Sequence, residues 1–409
     1  MSKVHTDNII IDGPNAAGYG NQYTISTATA GVSTYTVLIT PEIGQSGTVS
    51  LTLVFADADG TSITQTFDLL ITTGPVIVQQ LPVLDGGYDH SVGLNPDGII
   101  YTWGGNDKGQ LGTGENGAGT EHYTPTQITE FYIFTKVSAG QEDTSGTFNL
   151  ALLLDGTVWA WGNNGYGQLG IDNTDNQNTP IGIEDIWYIV DIAAGAHHSM
   201  ALQYDGSVWV WGGNDHGQLG NGTNTGSQLV PGNVSGLENI RAIAAGHSFC
   251  MALKSDGTIY TWGDDGAGQL GNDNSAMDQY TPVQVTGPSG TGALTGIVQI
   301  SAGGYHAMAL RNDGTVWCWG NGGMGQLGNG TTGNQNMPVQ VHGVNDLGFL
   351  SDIIQIAAGD THCLALKRDG TVYAWGYNMN GQLGNATNTD KNYPIQVHGI
   401  GDSGYLEMW

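Results

Sequence analysis

Four histidines, His90, His198, His306 and His362, stand at one position of a recurring pattern in this 409-residue chain, and Phe148 and Phe249 stand there in the other copies. A ring of imidazoles around an axis is a metal-binding arrangement. Phenylalanine cannot ligate a metal, however, and equivalent positions in successive repeats lie too far apart to share one ion. The position therefore asks for a flat ring, and it reads as a packed, hydrogen-bonded histidine. Cys250 and Cys363 fall in the slot that holds Ser91, Ser199 and Ala307, while Cys318 lies between Trp317 and Trp319. Thiols in small-residue slots are expected as buried free cysteines, neither a disulfide framework nor a nucleophile. Asp57, Asp59 and Gly60 have the start of a calcium loop, and Asp172 to Asp175 form another acidic loop. Both lack the glutamate that an EF-type loop needs at its twelfth position, so calcium at Asp57 and Asp59 competes with a plain hairpin turn. Asp97, Asp155, Asp205, Asp256, Asp313 and Asp369 each precede a glycine in successive copies. A residue used six times for turn geometry cannot mark one active site. No catalytic residue, no cofactor-binding residue and no metal ligand is therefore assigned.

The elements that position these residues repeat. Gly-Gln-Leu-Gly begins at Gly109, Gly167, Gly217, Gly268, Gly325 and Gly381, an internal repeat of the kind that builds solenoids and propellers. Each copy follows an Asp-Gly turn and a run such as Ser207-Val208-Trp209-Val210-Trp211-Gly212, which predicts a β-hairpin. Tyr101, Trp159, Trp209, Tyr260, Trp317 and Tyr373 fall two residues before Trp103, Trp161, Trp211, Trp262, Trp319 and Trp375, so each pair shares a strand face that must be buried. Small residues such as Ala193, Ala194 and Gly195 precede them and suit a crowded axis. Pro125, Pro180, Pro231, Pro282, Pro338 and Pro394 are expected at the starts of edge strands. With no helical period amid 67 glycines, each unit reads as a small antiparallel sheet, and the series as radial stacking.

The motifs Ala-Gly-x-x-His-Ser-x-Ala-Leu, Asp-Gly-Thr-Val-Trp-x-Trp-Gly and Gly-Gln-Leu-Gly, in fixed order, resemble the regulator of chromosome condensation repeat family over residues 76–409. The resemblance implies an all-β propeller. Members are commonly seven-bladed, whereas six complete copies favour six blades here, or seven with a degenerate one. Closure is expected through the C-terminal strand around Pro394 to Val397 completing the first blade. The Trp and His residues above are then structural repeat core.

Residues 1–75 carry none of these motifs. Tyr35, Val37 and Ile39, then Val49, Leu51, Leu53 and Phe55, then Ile63, Phe67, Leu69 and Ile71 alternate with polar residues as half-buried strands do. With a turn at Ala56 to Gly60, the segment resembles an immunoglobulin-like β-sandwich of phage and bacterial surface proteins and is expected to act as an anchor.

Nine Lys and Arg against 37 Asp and Glu give a net charge of −28. Nucleic acid is thereby an unfavoured partner, because phosphate binding needs a basic patch. Neither a signal-peptide core nor an apolar run long enough for membrane insertion is visible. The expectation from charge, start and layout is a non-catalytic structural or adhesive component of a virion or extracellular surface. Its partners would be other subunits of an assembly or a cell-surface glycan. The alternative is a protein-binding inhibitor or regulator, as the resemblance implies. A glycan-acting enzyme would need a distinct carboxylate pair, which repeat-borne aspartates do not supply. Recognition is expected in the polar loops after each Gly-Gln-Leu-Gly and at Gln141 to Thr147.

Overall fold

The computed structural model of the chain describes residues 83–128, 132–141, 147–274 and 277–408 and the backbone of three strands nearer the N-terminus. In the third repeat the Asp205 carboxylate accepts from the Ser207 amide at 2.9 Å, and Gly206 adopts φ 87°. This closes a hairpin between strands His198–Gln203 and Val208–Gly212. Asp155, Asp256, Asp313 and Asp369 accept from the residue two positions on in the same way. These aspartates are turn formers, as expected. An inner strand, Ile189–Ala194, and an outer one, Gln228–Asn233, complete the sheet.

Six such four-stranded antiparallel meanders follow one another, at residues 83–127, 134–182, 189–233, 240–284, 297–340 and 353–396. Each is one blade of a six-bladed propeller. The first strand of every blade lies innermost, where Ala193, Ala244, Ser301, Ala302 and Ala358 line a cavity of about 410 Å³. The outer strand is bulged: Val210 pairs with Gly232 but Gly212 with Gln228. Pro231 sits inside that bulge, and its equivalents Pro180 and Pro338 likewise lie within outer strands rather than at their starts. A ladder already interrupted there has no amide for proline to remove.

Blades are buried on both faces, because each is clamped between neighbours. Trp161, Trp211, Trp262, Trp319 and Trp375 are 0% exposed, and so are Val158, Val208, Ile259 and Val316 on the opposite face of the same strands. Strict alternation is therefore lost at the middle strands. Trp159, Trp209 and Trp317, which share a face with the buried indoles, are only half-buried. Trp211 packs on Leu150, Val158, Ala160 and Leu169 of the preceding blade, and Trp262 on Met200, Val208, Val210 and Leu219.

The last outer strand, Lys391–Gln396, pairs with Val372–Gly376 of its own blade, and the first blade has all four strands from its own sequence. The expected exchange of a C-terminal strand into the first blade does not occur. Each repeat supplies a complete hairpin-connected meander, so no strand is owed to another blade. Trp103 differs from its five counterparts in being only half-buried.

Contact density divides the chain into Met1–Gln79 and Gln80–Trp409. In the former, Gly47–Ala56 lies between Asn8–Asp12 and Ser62–Ile71 in one antiparallel sheet. Leu51 is opposite Phe67 and Ala56 opposite Ser62, which gives the hairpin that alternation predicts. A single sheet among the described residues does not support the expected sandwich. The strand expected at Tyr35 to Ile39 and the calcium candidates Asp57 and Asp59 lie outside the described residues.

Candidate functional site

In the five blades other than the second, a short turn joins the innermost strand to the second strand, and these turns, with Gln141 of the second blade, come together at one end of the propeller. They carry Tyr88, His197, His247, Ser248, Tyr305, Asp360 and Thr361, which line a cleft of about 830 Å³ with Asp85, Gln141, His362, Tyr377 and Gln382. Backbone bonds tie the turns of the third to sixth blades into an arc: Ala196 N donates to the His247 carbonyl at 3.1 Å, His247 N to Gly304 O at 3.0 Å and Gly304 N to Asp360 O at 3.0 Å. Side chains are thus presented by a rigid rim. Rigid presentation lowers the ordering cost of binding.

Asp360 pairs with His247 Nε2 at 3.0 Å while its side chain stays 54% exposed. The hydrogen bond from His247 is what holds the Asp360 carboxyl below the usual range. His247 also meets the ring of Tyr305 edge-on, centroids 4.9 Å apart. Asp85 accepts from the amides of Ala139 and Gly86, yet burial outweighs them and pushes its carboxyl up. Among the described residues, no lysine or arginine lines the cleft. The surface is therefore acidic, aromatic and imidazole-rich, suited to hydrogen bonding and cation–π contact.

Of the repeat histidines, His90, His198 and His306 lie buried just beneath this rim and serve packing, whereas His362 is half-buried and lines the cleft. His90 Nε2 bonds Asn149 Oδ1 at 2.8 Å, and its Nδ1 bonds Thr147 Oγ1 at 2.7 Å. His198 and His306 reach the sulfurs of Cys250 and Cys363 in the next blade, each at 3.1 Å. Burial drives His198 down to about 3 and His306 to about 4, so both are neutral at pH 7. The same desolvation raises the Cys250 and Cys363 thiols well above their ordinary value. All three cysteines are buried and free. Paired across blade seams, these four groups are inert.

The six tryptophans were expected as core, and five of them fill seams between blades rather than any cleft. Gln141, at the start of the insertion where recognition was expected, and His362 line the cleft, while its other residues were missed. Their signal was the pair of variable positions in Ala-Gly-x-x-His, the two residues of the motif that the repeat leaves free. Turns pinned between invariant neighbours can vary without disturbing the blades.

A propeller of six such units, with its variable turns gathered at one end, matches the RCC1-like domain family model over residues 64–406. The chain belongs to the RCC1-like domain family. Among its relatives, the ultraviolet-B receptor UVR8 of Arabidopsis thaliana is 33% identical over 338 residues, 80% of this chain and 73% of UVR8. The E3 ubiquitin-protein ligase HERC2 of Homo sapiens is 35% identical over 323 residues, 77% of this chain but 6% of HERC2. Prp20p of Saccharomyces cerevisiae, whose structure was described with its binding to Gsp1p and histones, superposes with a TM-score of 0.64 at 24% identity. That superposition covers 78% of this chain and 76% of Prp20p, and shows the shared RCC1-like fold.

These relatives overturn the expectation of a virion or extracellular surface component. RCC1-like chains 32–35% identical to this one are cellular proteins, including a receptor and the mitochondrial protein RUG3. Net charge sets solubility and self-repulsion, which a regulator needs as much as a capsid component does. Charge therefore could not carry a location. Among the described residues no helix is long and apolar enough to cross a membrane.

Proposed function

We propose that this RCC1-like propeller is a non-catalytic, protein-binding regulator whose axial cleft receives a basic segment of its partner. The observation that carries this reading is the composition of the cleft: Asp85 and Asp360 beside Tyr88, Tyr305 and Tyr377, with no cation among the lining residues. Carboxylates next to tyrosine faces match lysine and arginine, which combine a charge with a stem that packs on aromatic rings. The chain's charge of −28 would also draw a basic partner in. The relatives support the reading. UVR8 is named as a receptor, Prp20p was described as binding Gsp1p and histones, and its complex with Kap60 has been solved.

The test is calorimetric titration of the purified chain with a lysine- and arginine-rich peptide at low and moderate salt. Binding should weaken as salt rises, and Asp360→Asn and Tyr305→Ala should each weaken it about tenfold, the size of effect seen for interface anchors. Equal binding by wild type and both variants would place the partner surface elsewhere.

A further inference from the structure

A second cluster lies at the seam between the third and fourth blades, and none of its residues lines the axial cleft. His216, in the turn before Gln218, presents Nδ1 at 3.0 Å from Asp278 Oδ2 and 3.8 Å from Asp264 Oδ1. All three ligand atoms lie within 4.8 Å of one another. The remaining oxygens are fixed by the fold. Asp264 Oδ2 accepts from Gln269 Nε2 at 2.8 Å, its Oδ1 from the Gly266 amide at 2.9 Å, and Asp278 Oδ1 from the Asp265 amide at 3.1 Å. Among the described residues, no lysine or arginine pairs with either carboxylate.

Asp265 supplies the independent observation. The equivalent position holds Gly322 in the fifth blade and Asn106, Asn164, Asn214 and Asn378 in the other four, whose amide nitrogens donate to loop carbonyls such as Thr223 O and Thr387 O. In the fourth blade an oxygen replaces that nitrogen. Asp265 is 0% exposed, its Oδ1 accepts from Leu270 N at 3.0 Å, and its Oδ2 has no hydrogen-bond partner. A buried, orphaned carboxylate oxygen beside two further carboxylates is a costly arrangement that a cation or a water held by one would relieve.

We propose that His216, Asp264 and Asp278 bind a divalent transition-metal ion, of which zinc is the type, clamping the third blade to the fourth. One imidazole nitrogen and two carboxylate oxygens suit zinc with a water in the fourth position. Asp265 Oδ2 accepts a hydrogen bond from that water, which explains why this blade alone places a carboxylate at the position. The clamp is independent of the axial cleft and of any partner bound there.

Equilibrium dialysis of the full chain against zinc chloride tests the site, with cobalt as a visible probe. One equivalent of zinc should bind and raise the melting temperature, and cobalt should give the absorption bands of a tetrahedral nitrogen–oxygen site. His216→Ala, whose side chain is 46% exposed and so carries little folding burden, should abolish both, as should Asp278→Asn. Asp265→Asn should retain the ion with about tenfold to hundredfold lower affinity. Zinc binding unchanged in His216→Ala would overturn the assignment, and so would absence of the cobalt bands in a wild-type chain that melts cooperatively. Tight calcium binding that is indifferent to His216→Ala would also overturn it.

Discussion

The indole nitrogen of Trp211 donates to the backbone carbonyl of Gln168 at 2.9 Å, across the boundary between the third and second blades. Trp161, Trp262, Trp319 and Trp375 make the same bond to Gln110, Gln218, Gln269 and Gln326. Gly-Gln-Leu-Gly is therefore half of a joint whose other half is the tryptophan one repeat later. Truncating Trp211 to Ala should cost about 3–5 kcal/mol, combining lost burial with a cavity. Since it leaves the Gln168 carbonyl with the Ser199 hydroxyl alone, at 2.6 Å, raised hydrogen exchange should reach the second blade. Exchange confined to the third blade would show that the joint transmits nothing.

The glycine that closes the motif is set by the same contact. A Cβ on Gly170 would lie 2.7 Å from Trp211 Nε1 at a φ of +71°, whereas one on Gly222, at φ +85°, meets nothing within 4 Å. Gly222→Ala should cost about 1–2 kcal/mol from backbone strain alone. Gly170→Ala should cost more, because the indole must also move. Equal denaturation midpoints for the two variants would refute the steric half of this account.

Acid should weaken the fold through its buried histidines, against the opposing effect of Asp85 and Asp265, whose carboxyls burial pushes up, the latter to about 7. His198 and His306 are held neutral, at about 3 and about 4 by burial, while the unfolded chain takes up their protons near pH 6.5. Between pH 6.5 and 4 the unfolded state binds more protons at these two sites, so their contribution to stability falls as pH falls, with a slope approaching about 1.4 kcal/mol per pH unit for each histidine. Replacing both by Phe, the residue that fills this slot in the second and fourth blades, should flatten the melting profile over that window. A slope unchanged in the double variant would assign the acid sensitivity to other groups.

Deleting residues 391–408 should damage the sixth blade and its neighbour, not the first. Lys391–Gln396 pairs with Val372–Gly376, and Asn392 Nδ2 donates to Gly330 O of the fifth blade at 2.8 Å. Hydrogen exchange of the truncated chain should rise there while Val92 and Leu94, buried in the first blade, keep their protection. Loss of protection at Val92 would restore the strand-exchange closure.

Repeat count, blade boundaries and turn chemistry were legible because they depend on local order: Asp205 and Gly206 make a hairpin wherever they stand, and Trp211 must be buried wherever it stands. The seam pairs were half legible. His198 was readable as packed, but that its partner is Cys250 in the next blade follows only from how blades stack. Recognition was sought in the loops after Gly-Gln-Leu-Gly, yet in the third and sixth blades those loops cap Asn214 and Asn378. Tyr305 and Asp360 were hidden as unassigned letters inside a conserved-looking motif.

By itself, the sequence determined the period, the strand pattern and the burial of the indoles, since each follows from residue types a few positions apart. Tertiary structure alone decided which repeats face which. It brought His247 to Asp360, residues separated by two blades, and His216 to Asp278 across a seam. The reason is geometric: radial stacking places residues one or more repeats apart within a hydrogen bond, and no local spacing encodes the angle between blades.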